Sequence, residues 1–417
     1  MRDSPLRLWL VTQFYPPDGG ASAVRLSRLA RLLAEQGHDV TVLTVMPHYW
    51  SGAIAEPYRG RLFMREMLDG VTVLRAWLYA SPSKRARARL LNQISAMLSV
   101  ALRGTFAHRP DAILLESHPL FMALAGGWLR RIKGAPVVLN VSDLWPESAV
   151  ETGVLRADSP LVRLAVPVER WAYRDAAQIV GMTEGVVAGI LRAGADPAKV
   201  SLITNGVDLA RFRPGVGDRR TLRDRFGIPL DQIVALHVGN MSTTYDFVPI
   251  LESAAALPEI VFLFVGSGTQ EPALRAQAVE RALDNVHFAG ILPHDQMPDA
   301  WAAGDLCLIS MGDHGLSYGT RPAKLYEALA SGMPVIAAIR GEGAALLNDA
   351  GAGVVVPIGD SAAMREAIHL LAGDSARRAA FSQSGRAYAE RYLSPERVRD
   401  AYLDVIWRAV HQALMRR

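Results

Sequence analysis

The sequence predicts an α/β protein of two doubly wound domains, each a largely parallel sheet covered by helices, and three observations carry that prediction. Short apolar, strand-like runs alternate with longer runs of helical periodicity from one end of the chain to the other. The chain has 417 residues, too many for one ordinary core and suited to two domains of about 200 residues each. The alternation also restarts after a segment at 212–218 that carries Pro214, Gly215 and Gly217 and reads as a linker.

In the first half, strands are expected at 8–14, 39–44, 71–75, 112–115, 137–141, 178–182 and 200–204. Between the first two, residues 21–36 place Val24, Leu26, Leu29, Leu32 and Leu33 at helical spacing, and Gly37 sits where a helix C-cap belongs. The second half repeats this grammar, with strands expected at 233–238, 260–265, 286–289, 306–309, 335–337 and 353–356. The expected domains are therefore 1–211 and 212–394. Residues 395–415 read as one amphipathic helix capped by Ser394, carrying Val398, Tyr402, Val405, Ile406, Val410 and Leu414. Sheets of this kind bind ligands at the carboxyl ends of their strands, so the site is expected there, facing the cleft between the domains.

Half the residues are hydrophobic and 21% are charged, a globular composition. The one cysteine, Cys307, excludes an intramolecular disulfide framework and lies in an apolar run, where a buried thiol in a reducing compartment is expected. Arg7 is followed at once by a strand-like run, which is not a signal peptide, and no stretch of 18 or more uncharged apolar residues is present. A cytoplasmic protein is expected. The net charge is +4, with its basic excess concentrated locally: residues 70–110 contain no acid but hold Arg75, Lys84, Arg85, Arg87, Arg89, Arg103 and Arg109. There Leu90, Leu91, Ile94, Met97, Leu98, Ala101 and Leu102 fall on one helical face. Two readings stand. Lys84, Arg85, Arg87 and Arg89 with that helix form an interfacial anchor on the inner face of a membrane, or the helix faces the core behind a solvated basic loop. Nucleic acid is disfavoured, since no aromatic platform accompanies the base.

Several loops carry chemistry. In 15–21, Pro16 and Pro17 stiffen the chain, while Gly19-Gly20 lets backbone N–H groups approach an anion at a helix N-terminus; a plain tight turn is the alternative. Gly239-Asn240 and Gly266-Ser267-Gly268 follow strands in the same way, and three such turns point to a phosphate-bearing ligand. The densest stretch, 319–336, reads GTRPAKLYEALASGMPVI. Pro322 suits the first turn of a helix running to Ser331, before Gly332 and Pro334 stop it. Arg321 and Lys324 then stand at the helix entrance, where dipole and cations favour a diphosphate, and Glu327 suits a ribose diol. A surface ion pair of Lys324 with Glu327 is the bland alternative. No metal motif is present: Asp143 lacks an Asp-x-Asp partner and the histidines lack ligand spacing.

Taken in order and spacing, Gly19-Gly20, Asn205-Gly206-Val207-Asp208 before Phe212, Val265–Gly268, Phe288-Ala289-Gly290 and the 321–336 block make the chain resemble family 4 of the retaining glycosyltransferases, nearly end to end. The resemblance implies the GT-B architecture of two Rossmann-like domains, with 395–417 returning to pack on the first. It implies transfer of a sugar from a nucleoside-diphosphate sugar to a glycan or polyprenyl-diphosphate-linked acceptor, without a metal or other cofactor. It places Gly19 and Gly20 near the donor phosphates and acceptor, and His118 near the transferred sugar. Gly239, Asn240 and Gly266 would line the nucleotide pocket, with Gly290 and Ile291 at the base. Arg321, Lys324 and Leu325 would lie at the diphosphate and Glu327 at the ribose. Asp143-Leu-Trp-Pro-Glu147, with Asp143 and Glu147 on the acceptor side, is similar to a bacterial branch that adds fucose- or N-acetylamino-sugar units to surface polysaccharides. Two departures stand out. Of the family's two glutamates eight positions apart, Glu327 matches the second while the first falls on Gly319, leaving donor hydroxyls to backbone amides of 317–320. The Arg and Lys usual after the first strand of the second domain are also absent, for residues 240–244 (NMSTT) offer no cation. A sugar-nucleotide 2-epimerase and a catalytically silent nucleotide-binding subunit are the rival readings; the first would need acid and base carboxylates in which the 319 block is poor.

Overall fold

A computed structural model describes residues 4–49, 51–83, 85–151, 153 and 155–415. Contacts divide the chain into two units, unit 1 being Met1–Asn205 with Pro395–Arg417 and unit 2 being Gly206–Ser394.

The strands of unit 1 are β1 (Arg7–Val11), β2 (Asp39–Val45), β3 (Phe63–Leu68), β4 (Val71–Ala76), β5 (Ala112–Glu116), β6 (Val137–Val141), β7 (Gln178–Gly181) and β8 (Val200–Leu202). Among the described residues they form one sheet in the order β3-β4-β2-β1-β5-β6-β7-β8, parallel except for the β3–β4 pair. β1, β5 and β6 are apolar runs rather than alternating patterns because helices cover both faces of the sheet. β3 has no counterpart among the strands expected from sequence. It is an antiparallel edge strand alternating between exposed and half-buried residues, and Met64, Arg65, Glu66 and Met67 give it no β-branched run. Its signal is the Asp69-Gly70 turn, where φ is 49° and 77°, as a two-residue hairpin requires.

The helix Ala21–Glu35 ends at Gln36, and Gly37 takes the left-handed conformation (φ 89°) that stops it. The terminal helix Pro395–Met415 belongs to unit 1. Its Tyr402, Val405, Ile406, Trp407 and Val410 are buried in one cluster with Leu8, Leu10, Val42, Leu114 and Val180, each large side chain stabilising by about 1.5–3 kcal/mol. A buried polar network fixes its register. Tyr402 Oη donates to Asn140 Oδ1 at 2.5 Å, Asn140 Nδ2 to Glu116 at 2.7 Å, and Arg25 pairs with Glu116 at 2.7 Å.

Unit 2 carries β9 (Val234–Val238), β10 (Val261–Val265), β11 (Val286–Gly290), β12 (Leu306–Ser310), β13 (Val335–Ala338) and β14 (Gly353–Val356). Among the described residues they form a parallel sheet in the order β11-β10-β9-β12-β13-β14. Cys307 is buried in β12, and burial pushes its thiol up to about 12. The boundary expected at residue 212 is corrected. Residues 206–211 belong to unit 2, where Val207 N–H donates to Leu393 O at 2.9 Å and Val207 and Phe212 sit in the core. Nor is 212–218 a loose linker, since a Cβ on Gly217 would lie 2.3 Å from Pro298 O.

Each sheet turns direction once: between β1 and β5 in unit 1, and between β9 and β12 in unit 2. Ligands of doubly wound sheets bind outside the carboxyl ends of the strands at such switch points. The Gly19-Gly20 loop and His118 follow β1 and β5, while Gly239 and the 311–322 segment follow β9 and β12.

Candidate active site

In unit 2, three glycines close the carboxyl ends of adjacent strands. Gly239 N–H donates to Val265 O and Gly266 N–H to Gly290 O, both at 2.8 Å, locking the three turns together. Gly266 has φ 124°, and a Cβ there would stand 2.1 Å from Gly239 O, so no other residue fits. Gly268 is similarly pressed against Met241, whose N–H donates to Ser267 O at 3.0 Å. The result is a rigid rim on which Asn240 and Ile291 are exposed.

Lys324 lies beneath that rim. The helix runs from Ala323 to Ala330 with Pro322 as its N-cap, one residue later than expected. Lys324 is buried rather than on the surface, so the bland reading of a surface ion pair with Glu327 falls. Its Nζ is 3.1 Å from His237 Nε2 in β9, 4.0 Å from the centre of the Tyr245 ring, and 3.5 Å from where a Gly239 Cβ would be. Burial pushes the ammonium down to about 7, with Cys307 and Glu327 acting in the opposite direction. His237 is buried and pushed well below its ordinary value, chiefly by burial and then by Lys324. Its Nδ1 faces Leu308 O at 3.2 Å. A carbonyl only accepts, so Nδ1 carries the hydrogen and Nε2 offers its lone pair to Lys324.

Arg321 stands in front of the same helix, where its Nε pairs with Glu342 Oε2 at 2.9 Å and its side chain bonds Tyr326. Glu327 is half-buried, and its Oε2 accepts from Trp301 Nε1 at 3.1 Å. Leu325, the second residue after Ala323 in this helix, has its side chain wholly buried in the core of unit 2. His237, Tyr245, Trp301 and Glu342 were not anticipated. Of these only His237 carries a local signal, as a titratable residue inside the apolar run Val234–Val238.

In unit 1, Gly20 is the N-cap of Ala21–Glu35 with φ 95°, has no side-chain cap bond, and packs on Tyr49, whose ring would lie 3.3 Å from an added Cβ. Under this turn Asp18 is buried, and its Oδ1 accepts from the His48 and Tyr49 N–H groups, each at 2.8 Å. Burial raises the Asp18 carboxyl above its usual range, against those bonds and His48. His48 is buried beside it, with Nδ1 3.8 Å from Asp18 Oδ2, and is pushed below its ordinary value by burial. His118 is exposed in the loop after β5. Asp143 leaves the neighbouring β6, and its Oδ2 accepts from Ser148 Oγ at 2.9 Å, bracing the short helix Glu147–Glu151. Glu147, the first residue of that helix, pairs with Arg192 at 3.0 Å. Among the described residues no group of three or more His, Cys, Asp or Glu is placed to hold a metal ion.

The basic helix spans Ala86–Thr105, with Arg85 as its N-cap and Arg87 and Arg89 exposed; Lys84 lies outside the described residues. Its apolar stripe divides. Met97 and Ala101 pack on the core, whereas Leu91 (53% exposed), Ile94, Leu98 (59%) and Leu102 (52%) face outward. The division follows because Ala96, Val100 and Gly104 are the small residues that let the helix approach the sheet. Among the described residues no helix is long and apolar enough to cross a membrane.

Comparison with known proteins agrees with this architecture. Residues 20–206 match the glycosyl transferase 4-like domain, and residues 218–388 match glycosyl transferases group 1. The chain is 30% identical over 334 residues to 2-deoxystreptamine glucosyltransferase of Streptomyces kanamyceticus, covering 75% of this chain and 80% of that one. It is 25% identical over 325 residues to the putative colanic acid biosynthesis glycosyl transferase WcaI of Escherichia coli K12, covering 76% and 79%. In fold it is similar to Anabaena HepE, solved with UDP and glucose, at a TM-score of 0.72 and 19% identity over 96% of this chain and 99% of that one. With two doubly wound units and glycine turns at their switch points, the chain belongs to family 4 of the glycosyltransferases and has the GT-B fold.

Proposed function

We propose that the protein transfers a sugar, with retention of configuration, from a nucleoside-diphosphate sugar to a glycan or lipid-linked acceptor in surface polysaccharide assembly. The observation that carries this reading is the locked rim of Gly239, Gly266 and Gly290 with the buried Lys324 beneath it. Backbone N–H groups, the start of the helix Ala323–Ala330 and the cations Lys324 and Arg321 together suit a diphosphate. Asn240 and Ile291 border the nucleotide, and Glu327, steadied by Trp301, accepts from the ribose. As the sugar departs, negative charge builds on the diphosphate and positive charge on the anomeric carbon. Preorganised cations stabilise that leaving group without a metal, each such donor contributing on the order of 10²-fold in rate. The leaving phosphate takes the acceptor's proton on the same face. In unit 1, Gly19 and Gly20 approach the donor phosphates and the acceptor, His118 the transferred sugar, and Asp143 and Glu147 the acceptor in this reading. The relatives named above supply a polysaccharide pathway and a UDP-bound fold as precedents.

The test is thermal stabilisation of the protein by UDP, ADP, GDP and TDP, followed by product analysis with the matching sugar nucleotides. One nucleotide should stabilise wild type, and Arg321→Ala and Lys324→Ala should weaken that effect while remaining folded. Wild-type affinity in both variants overturns the assignment. An isomerised sugar formed without acceptor would favour the epimerase.

The same reading takes the helix Ala86–Thr105 as a tether in the protein's partnership with an anionic membrane, through Arg85, Arg87 and Arg89, Lys84 and the outward leucines. About 1 kcal/mol per cation, with partial insertion of that face, is enough for salt-sensitive binding. Neutralising the four cations should release the protein from anionic vesicles and spare transfer to a short soluble acceptor. Undiminished sedimentation of that variant overturns the tether.

A further inference from the structure

The turn after β9 offers no cation, since residues 240–244 read NMSTT, yet this is where the nucleotide reading puts a diphosphate. The structure brings one there from elsewhere. Lys324 reaches from the helix Ala323–Ala330, after β12, to within 3.5 Å of the place a Gly239 Cβ would take, so its ammonium lies in contact with the turn, whose φ of 112° favours glycine. Its Nζ is fixed from two sides, by the His237 lone pair at 3.1 Å and by the face of Tyr245 at 4.0 Å. Because Nδ1 of His237 is committed to Leu308 O, the imidazole has one orientation and one free acceptor, aimed at Lys324.

Resting on the nucleotide reading above, we infer that His237 is a positioning residue which holds Lys324 under the Gly239 turn, and that binding of a nucleoside diphosphate draws one proton from solvent on to Lys324 Nζ. The titratable groups facing Lys324 are His237 from β9, Tyr245 from the loop after it, Cys307 from β12 and Glu327 from its own helix. Only Glu327 among them is a carboxylate, and burial outweighs it, so without nucleotide the amine is in large part free base above neutral pH. A diphosphate placed over Gly239 supplies the missing negative charge, and the ammonium becomes the stable form. No bond other than N–H is made, and the buffer supplies the proton.

Calorimetry of the nucleotide that stabilises the protein, drawn from UDP, ADP, GDP and TDP, tests this in two buffers of different ionisation enthalpy. At pH 8.5 the terminal phosphate, which titrates at about 6, contributes nothing. The expected result is uptake of about one proton per nucleotide at pH 8.5, no net uptake at pH 6, where Lys324 is already mostly charged and the half-protonated phosphate releases rather than binds protons, and affinity falling about tenfold per pH unit above 8. His237→Leu should move the start of that fall to lower pH, and His237→Gln, which keeps a donor and an acceptor, should restore it. Tight binding at pH 8.5 with no proton uptake overturns the inference while leaving the nucleotide reading intact. An unshifted profile in a folded His237→Leu removes the positioning role. Failure of all four nucleotides to bind overturns the nucleotide reading and this inference together.

Discussion

The glycine turns at the two switch points, 19–20 in unit 1 and 239–240 in unit 2, follow the first strand of similarly ordered sheets, yet opposite charges lie buried beneath them. Under the first is the Asp18 carboxylate with His48 beside it; under the second is the Lys324 ammonium with His237 beside it. Asp18 is consumed structurally, tying the loop after β2 to the loop after β1 through two amide bonds. Lys324 makes no such bridge, and its contacts aim it at the turn. In the reading proposed above, a buried cation under the turn of unit 2 suits it to the diphosphate, whereas the buried carboxyl group under the turn of unit 1 is spent on its own loops. The difference comes from which side chain is buried below the turn rather than from the turn itself, as expected when function is grafted on to a shared architecture.

The turns also differ in what they tolerate, and the largest expected effect probes this. Gly266→Ala drives a Cβ into the Gly239 carbonyl at φ 124°, with only backbone in the way, and should destabilise unit 2 by about 3 kcal/mol or more. Gly20→Ala, at φ 95° against the movable ring of Tyr49, should cost about 1 kcal/mol. Denaturant unfolding followed by probes in each unit measures both. Equal costs would mean that the rim of unit 2 is no more rigid than its counterpart.

Next in size is the effect of the buried charges on nucleotide binding. Lys324→Met keeps the volume and removes the cation, so transfer should fall on the order of 10²-fold with nucleotide affinity reduced in step. Asp18→Asn should leave nucleotide affinity unchanged within error, as measured by titration calorimetry. A comparable loss in both variants would dissolve the distinction between the two turns.

Most of the fold is legible in the sequence because the central strands of each sheet are written as apolar runs, and thirteen of the fourteen strands among the described residues coincide with runs expected from it. The exception, β3, is a half-exposed edge strand with no β-branched run, and its one local mark is the Asp69-Gly70 turn that pairs it with β4. The candidate site is legible where one local motif carries it: Arg321, Lys324 and Glu327 lie within seven residues. What closes around them is not. Glu342 on Arg321, Trp301 on Glu327 and His237 on Lys324 come from 21, 26 and 87 residues away. Leu325 shows the converse limit, since proximity in sequence to two cations says nothing about which way a helical side chain points.

The smallest expected effect is also the most direct comparison of the two buried charges. Lys324 is held down at about 7 against an ordinary 10.5, so across that window the unfolded chain binds a proton that the fold does not. Stability must then rise with pH between those values. Asp18 is raised above its ordinary 3.8, so the fold binds the proton that the unfolded chain releases, and its contribution is present at low pH and lost as pH climbs through the folded value. His48, pushed down by burial, acts in the opposite sense, but it is present in both wild type and Asp18→Asn, so the comparison of those two reads Asp18. Measured without nucleotide, Lys324→Met should be more stable than wild type at pH 7, and the gap should shrink toward pH 10. Asp18→Asn keeps a carbonyl for the His48 and Tyr49 amides, and should gain on wild type as pH rises from 4 to 7. Each change is expected at about 1–2 kcal/mol, a shift of ~2–6 °C in melting temperature for a chain of this size. Two gaps with the same dependence on pH would show that the buried carboxyl and the buried amine are not opposed, and the comparison between the switch points would fail.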